Sequence, residues 1–183
     1  MSYARHILLL LLAFLAVFAE TAFDAPRVWL GSHLSLIPPL MVYAALRLDL
    51  LAVTTLAVLA GLWLDSFSAN PLGASILPLF VIGWILLQRR DLLLRELDYA
   101  QLVLGAAASA LAPVLTLLLV LSKGLHPDLG WKSLWQLVVL AVTGGVLTPA
   151  IFRLLDRLEA LFTHPPEVVN PYRPNREMKR GRY

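Results

Sequence analysis

The chain has 183 residues, of which 59% are hydrophobic and only 15% are charged, whereas a soluble domain is about 45–50% apolar and about 25% charged. Its mean hydropathy is +0.75, so it carries more Leu, Val and Ala than a soluble fold of this length could hide from water. The chain contains no cysteine, which excludes disulfides, zinc ribbons and thiol nucleophiles.

Long apolar runs recur along the chain, and each approaches the roughly 20 residues that a helix needs to cross the hydrocarbon layer. They lack the two-residue alternation of a membrane barrel strand, so helices are expected. We therefore predict an all-α, polytopic membrane protein, a bundle of six transmembrane helices over residues 1–163, followed by a basic tail over residues 164–183. The first run could be taken for a signal peptide, but its likeness to later runs favours a retained helix. The spans are predicted at about 7–23, 28–46, 50–67, 71–88, 100–121 and 134–155.

Local signals refine the expected shape and ends of these helices. Pro38 and Pro39 fall inside the second span and are expected to kink it. Asn70-Pro71 is expected to begin the fourth helix, because Asn caps free N–H groups and Pro is tolerated at the first helical position. Residues 153–162 have an apolar face and are expected to continue the sixth helix along the inner membrane surface.

The positions of Lys and Arg predict the orientation of the chain. With six spans both termini lie on one side, and that side holds all of the 15 Lys and Arg residues except Arg27, Lys123 and Lys132. Both termini are therefore expected in the cytoplasm. Because most basic residues lie just inside the membrane, where they meet anionic lipid, the pI of about 9.5 does not indicate a nucleic-acid partner.

Several polar residues are expected near the external face. Glu20 lies in the first span, Asp65 ends the third, and Asp24 and His33 lie between them in the chain. Ionisable residues inside lipid are costly and often functional. Together these residues could form a ligand site, a proton site or a partner-binding surface. Alternatively, each could sit at the interface, where water and lipid headgroups satisfy it.

Asp65 has the most specific expected role. It lies at a helix C-terminus, where the macrodipole disfavours an anion. A carboxylate held there needs compensating donors, and the backbone N–H groups of residues 68–73 are the candidates. Gly61 shares the same helix face and would let another helix approach closely. We expect Asp65 to hold the turn together, with direct contact to a partner as the alternative.

The fifth and sixth spans are rich in small residues, which let helix backbones approach closely. We interpret this as packing within the bundle rather than as a dimer motif. The residues are Gly105, Ala106, Ala107, Ala108, Ser109, Ala110 and Ala112 in the fifth span, and Thr143, Gly144 and Gly145 in the sixth.

The sequence carries few of the residues that catalysis needs. Its four histidines, His6, His33, His126 and His164, have no metal-ligand spacing. It contains no HExxH, Walker A or GxSxG motif. We therefore expect no enzyme activity, no catalytic or metal-binding residues and no cofactor.

The segment from Gly61 to Gly73 reads GLWLDSFSANPLG, which gives the pattern G-L-x-x-D-x-x-x-x-x-P-L-G. This pattern resembles the signature of the rod shape-determining protein MreD family. Upstream, residues 39–47 read PLMVYAALR and are similar to the end of that family's second helix. Chain length and six-helix hydropathy also match, and the resemblance covers about residues 7–160.

The resemblance implies a non-enzymatic scaffold subunit of the bacterial cell-elongation machinery, or elongasome, in the inner membrane. It implies binding to MreC, a single-span membrane protein, and through it a link to MreB filaments and peptidoglycan synthases. Membrane lipids are the other expected partner, and the basic tail has no counterpart in the family. The resemblance assigns Gly61, Asp65, Pro71 and Gly73 to structure and partner docking. Asn70, the expected helix cap beside Pro71, is a further candidate for the same role.

Two other interpretations remain open. A substrate-binding subunit of an energy-coupling-factor vitamin transporter also has six helices, but it docks its coupling subunit through first-helix alanines spaced four apart. An enzyme or flippase for lipid-linked precursors would need a polar cavity at mid-depth, where Glu20 and Thr116 are the candidates. The first-helix alanines of this chain are spaced by three: Ala13, Ala16, Ala19 and Ala22.

Overall fold

The apolar runs form helices, as expected for unbroken stretches of Leu, Ala and Val whose backbone groups must bond within the segment. A computed structural model describes residues 2–22, 35–67, 71–90, 98–122 and 130–162. These residues contain six α-helices and no strand, which confirms the predicted all-α fold. The helices are α1 (Ser2–Ala22), α2 (Ile37–Arg47), α3 (Leu50–Ser66), α4 (Ile76–Arg89), α5 (Asp98–Ser122) and α6 (Trp131–Phe162).

In the described part of the chain, three helices are long and apolar enough to cross a membrane. Their apolar spans are Arg5–Ala22 in α1, Tyr99–Ser122 in α5 and Trp131–Leu158 in α6. Helices α3 and α4 are also apolar but shorter. Large hydrophobic side chains cover the outward faces of the long helices, which suits contact with lipid because their backbone groups are bonded within each helix.

Helix α2 forms the centre of the bundle. Each of its residues from Ile37 to Leu46 is buried, and α2 contacts all five other helices. Tyr43 of α2 packs edge-on against Phe152 of α6, with ring centroids 4.9 Å apart. The hydrophobic core is therefore built around α2, the shortest of the six described helices, which has no exposed face for lipid over this stretch.

Contacts along α1 and α3 show that the two helices run parallel. His6 in the first turns of α1 meets Asp49, which precedes α3. Further along, Phe14 packs edge-on against Trp63 near the end of α3, with ring centroids 5.2 Å apart. The C-termini of α1 and α3 consequently lie at the same end of the bundle.

Helix α6 runs parallel to α2. Arg47 at the end of α2 forms an ion pair with Asp156 of α6 at 3.6 Å, one turn beyond the contact between Tyr43 and Phe152. Helices α2, α4 and α6 thus point one way, and α1, α3 and α5 point the other way.

Helices α5 and α6 pack antiparallel through their small residues. A Cβ on Gly105 would overlap Oγ1 of Thr148, and a Cβ on Gly144 would overlap Oγ of Ser109. Only glycine fits at such a close approach, which confirms the predicted packing role of Gly105, Ser109 and Gly144 within the bundle. The buried hydroxyl of Ser109 has no hydrogen-bond partner among the described residues.

The predicted kink in the second span is wrong. Helix α2 begins at Ile37, so Pro38 and Pro39 occupy its first turn. At that position the missing N–H groups have no acceptor within the helix, so proline begins the helix rather than bending it. Ser35 and Leu36 are not helical, and the rest of the predicted start, 28–34, lies outside the described residues.

The start of α4 also differs from the prediction, whereas the continuation of the last helix agrees with it. Helix α4 begins at Ile76 rather than at Pro71, because residues 72–75 form a turn. Gly73 in that turn has a φ of +89°, a left-handed conformation that an α-helix cannot contain. Helix α6 extends to Phe162, so residues 153–162 continue it as expected.

Candidate functional site

The α3–α4 hairpin (residues 50–89) is closed by a buried carboxylate. Asp65, in the last turn of α3, is only 2% exposed. Its Oδ2 accepts a hydrogen bond from the backbone N–H of Ser75 at 3.0 Å, and its Oδ1 accepts one from the Ser75 hydroxyl at 2.5 Å. Because both oxygens bind one residue across the turn, the turn is fixed against the end of α3.

The same contact explains how a carboxylate is tolerated at the end of a helix. The C-terminus of α3 disfavours negative charge at Asp65, whereas the N-terminus of α4 favours it. Ser75 immediately precedes α4, so Asp65 accepts one of the free N–H groups at the start of that helix. The donor is thus Ser75 rather than a residue of the predicted segment 68–73, of which 68–70 lie outside the described residues.

Gly61 brings the two helices of the hairpin into direct contact. A Cβ at Gly61 would lie 2.9 Å from both the backbone N and the Cα of Ile76. The first residue of α4 therefore packs on the backbone of α3, one helical turn before Asp65. This close approach places Ser75 within reach of the carboxylate.

The turn itself depends on Gly73 and Pro71. Gly73 has the one positive φ recorded for a glycine in the described part of the chain, and an L side chain there would be strained. The backbone N–H of Ala74 donates to the Pro71 carbonyl at 3.1 Å. Asn70 lies outside the described residues. The other four predicted site residues are therefore brought together in or beside this turn.

The outer surface of the turn is apolar. Phe67, which follows α3, is 66% exposed, and Leu72 is 70% exposed. Leu77 at the start of α4 is exposed as well. Such a group of large apolar side chains suits contact with lipid or with an apolar partner surface.

A second carboxylate makes the same kind of contact. Glu20, in the last turn of α1, accepts a hydrogen bond from the backbone N–H of Leu36 at 2.5 Å. Leu36 precedes α2, so Glu20 binds a helix N-terminus as Asp65 does, at the same end of the bundle. Sequence patterns do not predict this partner, because a bond across sixteen residues leaves no periodic signal. Asp24 and His33, the other predicted members of this polar group, lie outside the described residues.

At the opposite end of the bundle, α1 and α4 meet the turn between α2 and α3. His6 Nε2 lies 2.8 Å from Asp49 Oδ1, and Arg90 donates to the Leu48 carbonyl at 3.4 Å. Asp49 also accepts the backbone N–H of Ala52 and so caps α3. The hydrogen bond with His6 is the main reason that the pKa of the Asp49 carboxyl lies below its ordinary value.

Basic residues collect at this second end. They occupy the first turns of α1 and the C-terminal turns of α2, α4 and α6, which the helix directions place together. In the described part of the chain, Lys132 at the start of α6 is the exception. The basic residues at the second end are Arg5, Arg47, Arg89, Arg90, Arg153 and Arg157.

The polar groups at the hairpin end are suited to holding helix ends together. Both acids accept backbone N–H groups, and the Thr116 hydroxyl donates within its own helix to the Ala112 carbonyl at 2.9 Å. In the residues that the structure describes, no three His, Cys, Asp or Glu side chains form a group that could hold a metal ion.

Comparison of the chain with models of protein families, with curated proteins and with solved structures finds no match. The family resemblance therefore rests on the residues from Gly61 to Gly73 and on the segment 39–47. The hairpin geometry gives each of Gly61, Asp65 and Gly73 a defined physical role.

Proposed function

We propose that this chain is a non-enzymatic, multi-pass scaffold subunit of the bacterial inner membrane, with both termini in the cytoplasm. In this proposal it binds a single-span partner of the MreC type. Through that partner it helps to link MreB-like filaments to peptidoglycan synthesis in the elongasome. The starting point is the family resemblance of the pattern from Gly61 to Gly73.

The observation that carries the proposal is that the residues of this pattern act together in one hairpin. Asp65 binds Ser75, Gly61 admits Ile76, and Gly73 supplies the left-handed turn conformation. These contacts fix the turn before any partner arrives. A pre-formed surface binds more tightly than a mobile one, because less conformational entropy is lost on association. A rigid, exposed turn is therefore what a docking element needs.

The proposed contact surface is the apolar outer side of the hairpin turn. Phe67, Leu72 and Leu77 are exposed there, and the closed turn holds them in fixed positions. Side chains of this kind can pack against the apolar helix of a single-span partner without leaving a polar group unpaired. In this proposal the pattern residues shape the surface, and the exposed apolar residues make the contact.

The distribution of charge supports the proposed orientation. The described basic residues are concentrated at the end of the bundle that holds the α2–α3 turn. An excess of Lys and Arg marks the cytoplasmic side of bacterial membrane proteins. The α3–α4 turn would then face the periplasm, where the larger part of an MreC-type partner is expected.

The vitamin-transporter alternative is less favoured by the packing of α1. Ala13 and Ala16 are buried, so half of the alanine series is turned into the bundle. Those two alanines cannot serve as a docking surface for a coupling subunit while they fill the core.

Affinity purification of the tagged full chain from bacterial membranes tests the proposal. We expect an MreC-type protein to co-purify, and we expect cells depleted of the chain to become round. High-affinity binding of a vitamin by the purified chain, with normal cell shape after depletion, would replace the proposal with the transporter alternative.

A pair of matched variants tests the contact surface. Leu72→Ala removes an exposed side chain at the turn, and Leu118→Ala removes one that is exposed on α5. We expect only Leu72→Ala to lower recovery of the partner, with both variants folding in normal amounts. Equal recovery with both variants would remove the hairpin turn from the docking surface.

A further inference from the structure

Polar contacts form two layers across the side of the bundle made by α1, α3 and α4. One layer lies at the basic end of the bundle and contains His6, Asp49 and Arg90, which meet at the α2–α3 turn. The other layer lies at the hairpin end and contains Glu20 and Asp65, each bound to a helix N-terminus. Between the two layers, α1, α3 and α4 carry almost only apolar residues.

The two layers lie closer together than the faces of an ordinary hydrocarbon layer. At about 1.5 Å per residue, the rise is about 21 Å from His6 to Glu20 and about 24 Å from Asp49 to Asp65. The corresponding rise from Ser75 to Arg90 along α4 is about 22 Å. A typical bilayer has a hydrocarbon core about 30 Å thick, and any helix tilt shortens the span further.

The other side of the bundle is longer. The apolar spans of α5 and α6 contain 24 and 28 residues, which correspond to rises of about 36 Å and about 42 Å. These helices can cross an ordinary bilayer with some tilt. The apolar span of α1 contains 18 residues and rises only about 27 Å, with Glu20 inside it. The shortfall in apolar length is therefore on the side made by α1, α3 and α4.

We propose that this side of the bundle is matched to a hydrocarbon layer about 21–24 Å thick, so that the chain thins the bilayer around α1, α3 and α4. The preferred lipid neighbours on that side are phospholipids with short acyl chains. The inference relies on the membrane location in the proposed function, but not on the proposed partner.

The turn between α3 and α4 gives the physical reason for thinning. In a bilayer of ordinary thickness, Phe67 and the non-helical residues 71–75 would lie inside the hydrocarbon. Irregular backbone that faces lipid does not occur at that depth, because its polar groups would have no partners. Local thinning costs little per ångström of mismatch, and it brings the turn to the interface, where water satisfies the backbone.

Spin labels on single cysteines test the depth of the turn directly, since the natural chain contains no cysteine. Ser66→Cys and Ser122→Cys place labels at the exposed C-termini of α3 and α5, at the same end of the bundle. In dioleoyl-phosphatidylcholine vesicles, we expect both labels to be equally accessible to a water-soluble relaxation agent. A label on Ser66→Cys that is as protected as one on Val58→Cys, in the middle of α3, would overturn the proposal.

A lipid series provides a second readout that uses the unmodified chain. We expect its unfolding temperature to be highest in dimyristoleoyl, lower in dioleoyl and lowest in dierucoyl phosphatidylcholine. An unfolding temperature that is constant or that rises with acyl-chain length would contradict the proposal. Neither measurement involves an MreC-type protein, so failure here is distinct from failure of the proposed scaffold function.

Discussion

Asp65 and Ser75 are joined by two hydrogen bonds, one from the backbone N–H of Ser75 and one from its hydroxyl, to the two oxygens of a single buried carboxylate. This contact ties the end of α3 to the start of α4 across the turn. It fixes where α4 begins and the direction in which Leu72 is presented. The hairpin is therefore held by these two hydrogen bonds as well as by apolar packing.

Asp65→Ala should lower the free energy of unfolding by about 1–3 kcal/mol, because two part-buried donors of Ser75 lose their acceptor. Ser75→Ala should cost less, since the backbone N–H still donates to Asp65. In the Asp65→Ala background, Ser75→Ala should cost almost nothing, which a double-mutant cycle in mixed detergent micelles would measure. Ser66→Ala is the control, because the Ser66 hydroxyl bonds only within its own helix, to the Leu62 carbonyl. Additive effects of the two substitutions would contradict the stabilising role of the hydrogen bonds between Asp65 and Ser75.

Glu20→Ala should destabilise the chain, whereas Glu20→Gln should be tolerated. Alanine leaves the backbone N–H of Leu36 without an acceptor, at a cost of about 1–3 kcal/mol. Glutamine retains a carbonyl oxygen at the same position and can accept this N–H. Unfolding by a denaturing detergent, followed by far-ultraviolet circular dichroism, compares the variants. Equal midpoints for Glu20→Ala and Glu20→Gln would mean that the bond to Leu36 contributes nothing.

Gly61→Ala should destabilise the hairpin more than Gly83→Ala does. The new Cβ at residue 61 meets the backbone of Ile76, which can only give way if α4 moves. At Gly83 it meets only side-chain atoms, of Val53 and Met41, which can shift without moving a helix backbone. Overpacking against a backbone, as in Gly61→Ala, typically costs about 1–3 kcal/mol. The same unfolding assay measures this cost.

The control for the glycine pair is Gly130→Ala, because a Cβ at Gly130 would have no heavy atom within 4 Å. This variant should match the wild-type midpoint. If Gly61→Ala also matches it, α3 and α4 do not approach each other as closely as the hairpin geometry requires.

Asp49 should make stability depend on pH in the acid range. The pKa of Asp49 in the folded chain lies below its ordinary value of 3.8, mainly because of the hydrogen bond with His6. Its contribution is therefore fully present above pH 3.8 and is lost as the pH falls through the lower, folded-state pKa. The Asp49 side chain is 59% exposed, so the effect should stay below about 1 kcal/mol.

The comparison of wild type with Asp49→Asn isolates this effect, because Asn also caps helices well. The unfolding temperature of the wild type should exceed that of the variant at neutral pH, and the difference should shrink as the pH falls below 3.8. A difference that stays constant across this range would show that the charge on Asp49 does not stabilise the fold.

The sequence predicts the structure correctly where a residue type has a single physical role. The unbroken apolar runs predicted helices, and the small residues around Gly105 and Gly144 predicted the close packing of α5 and α6. The unfavourable position of Asp65 at a helix end predicted that nearby backbone donors must compensate it. Each of these inferences depends on local chemistry, which is visible in the order of residues.

The features that the sequence does not predict depend on contacts between distant residues, or on residues that fit more than one local structure. Pro38 and Pro39 fit either a kink or a helix start, and the choice depends on where α2 begins. The bond between Glu20 and Leu36 joins two helices across a segment with no periodic signal. Ser75 was not expected as the donor to Asp65, because Asn70-Pro71 has the form of a helix start and the left-handed Gly73 displaces that start to Ile76.

The most direct test of the scaffold proposal is a binding titration between the purified full chain and an MreC-type protein, each in lipid nanodiscs or mixed micelles. An unrelated single-span helix of equal length serves as the control. We predict saturable binding of the MreC-type protein that unlabelled chain displaces and that Leu72→Ala weakens while Leu118→Ala does not. Binding no stronger than that of the unrelated helix would contradict the proposed function.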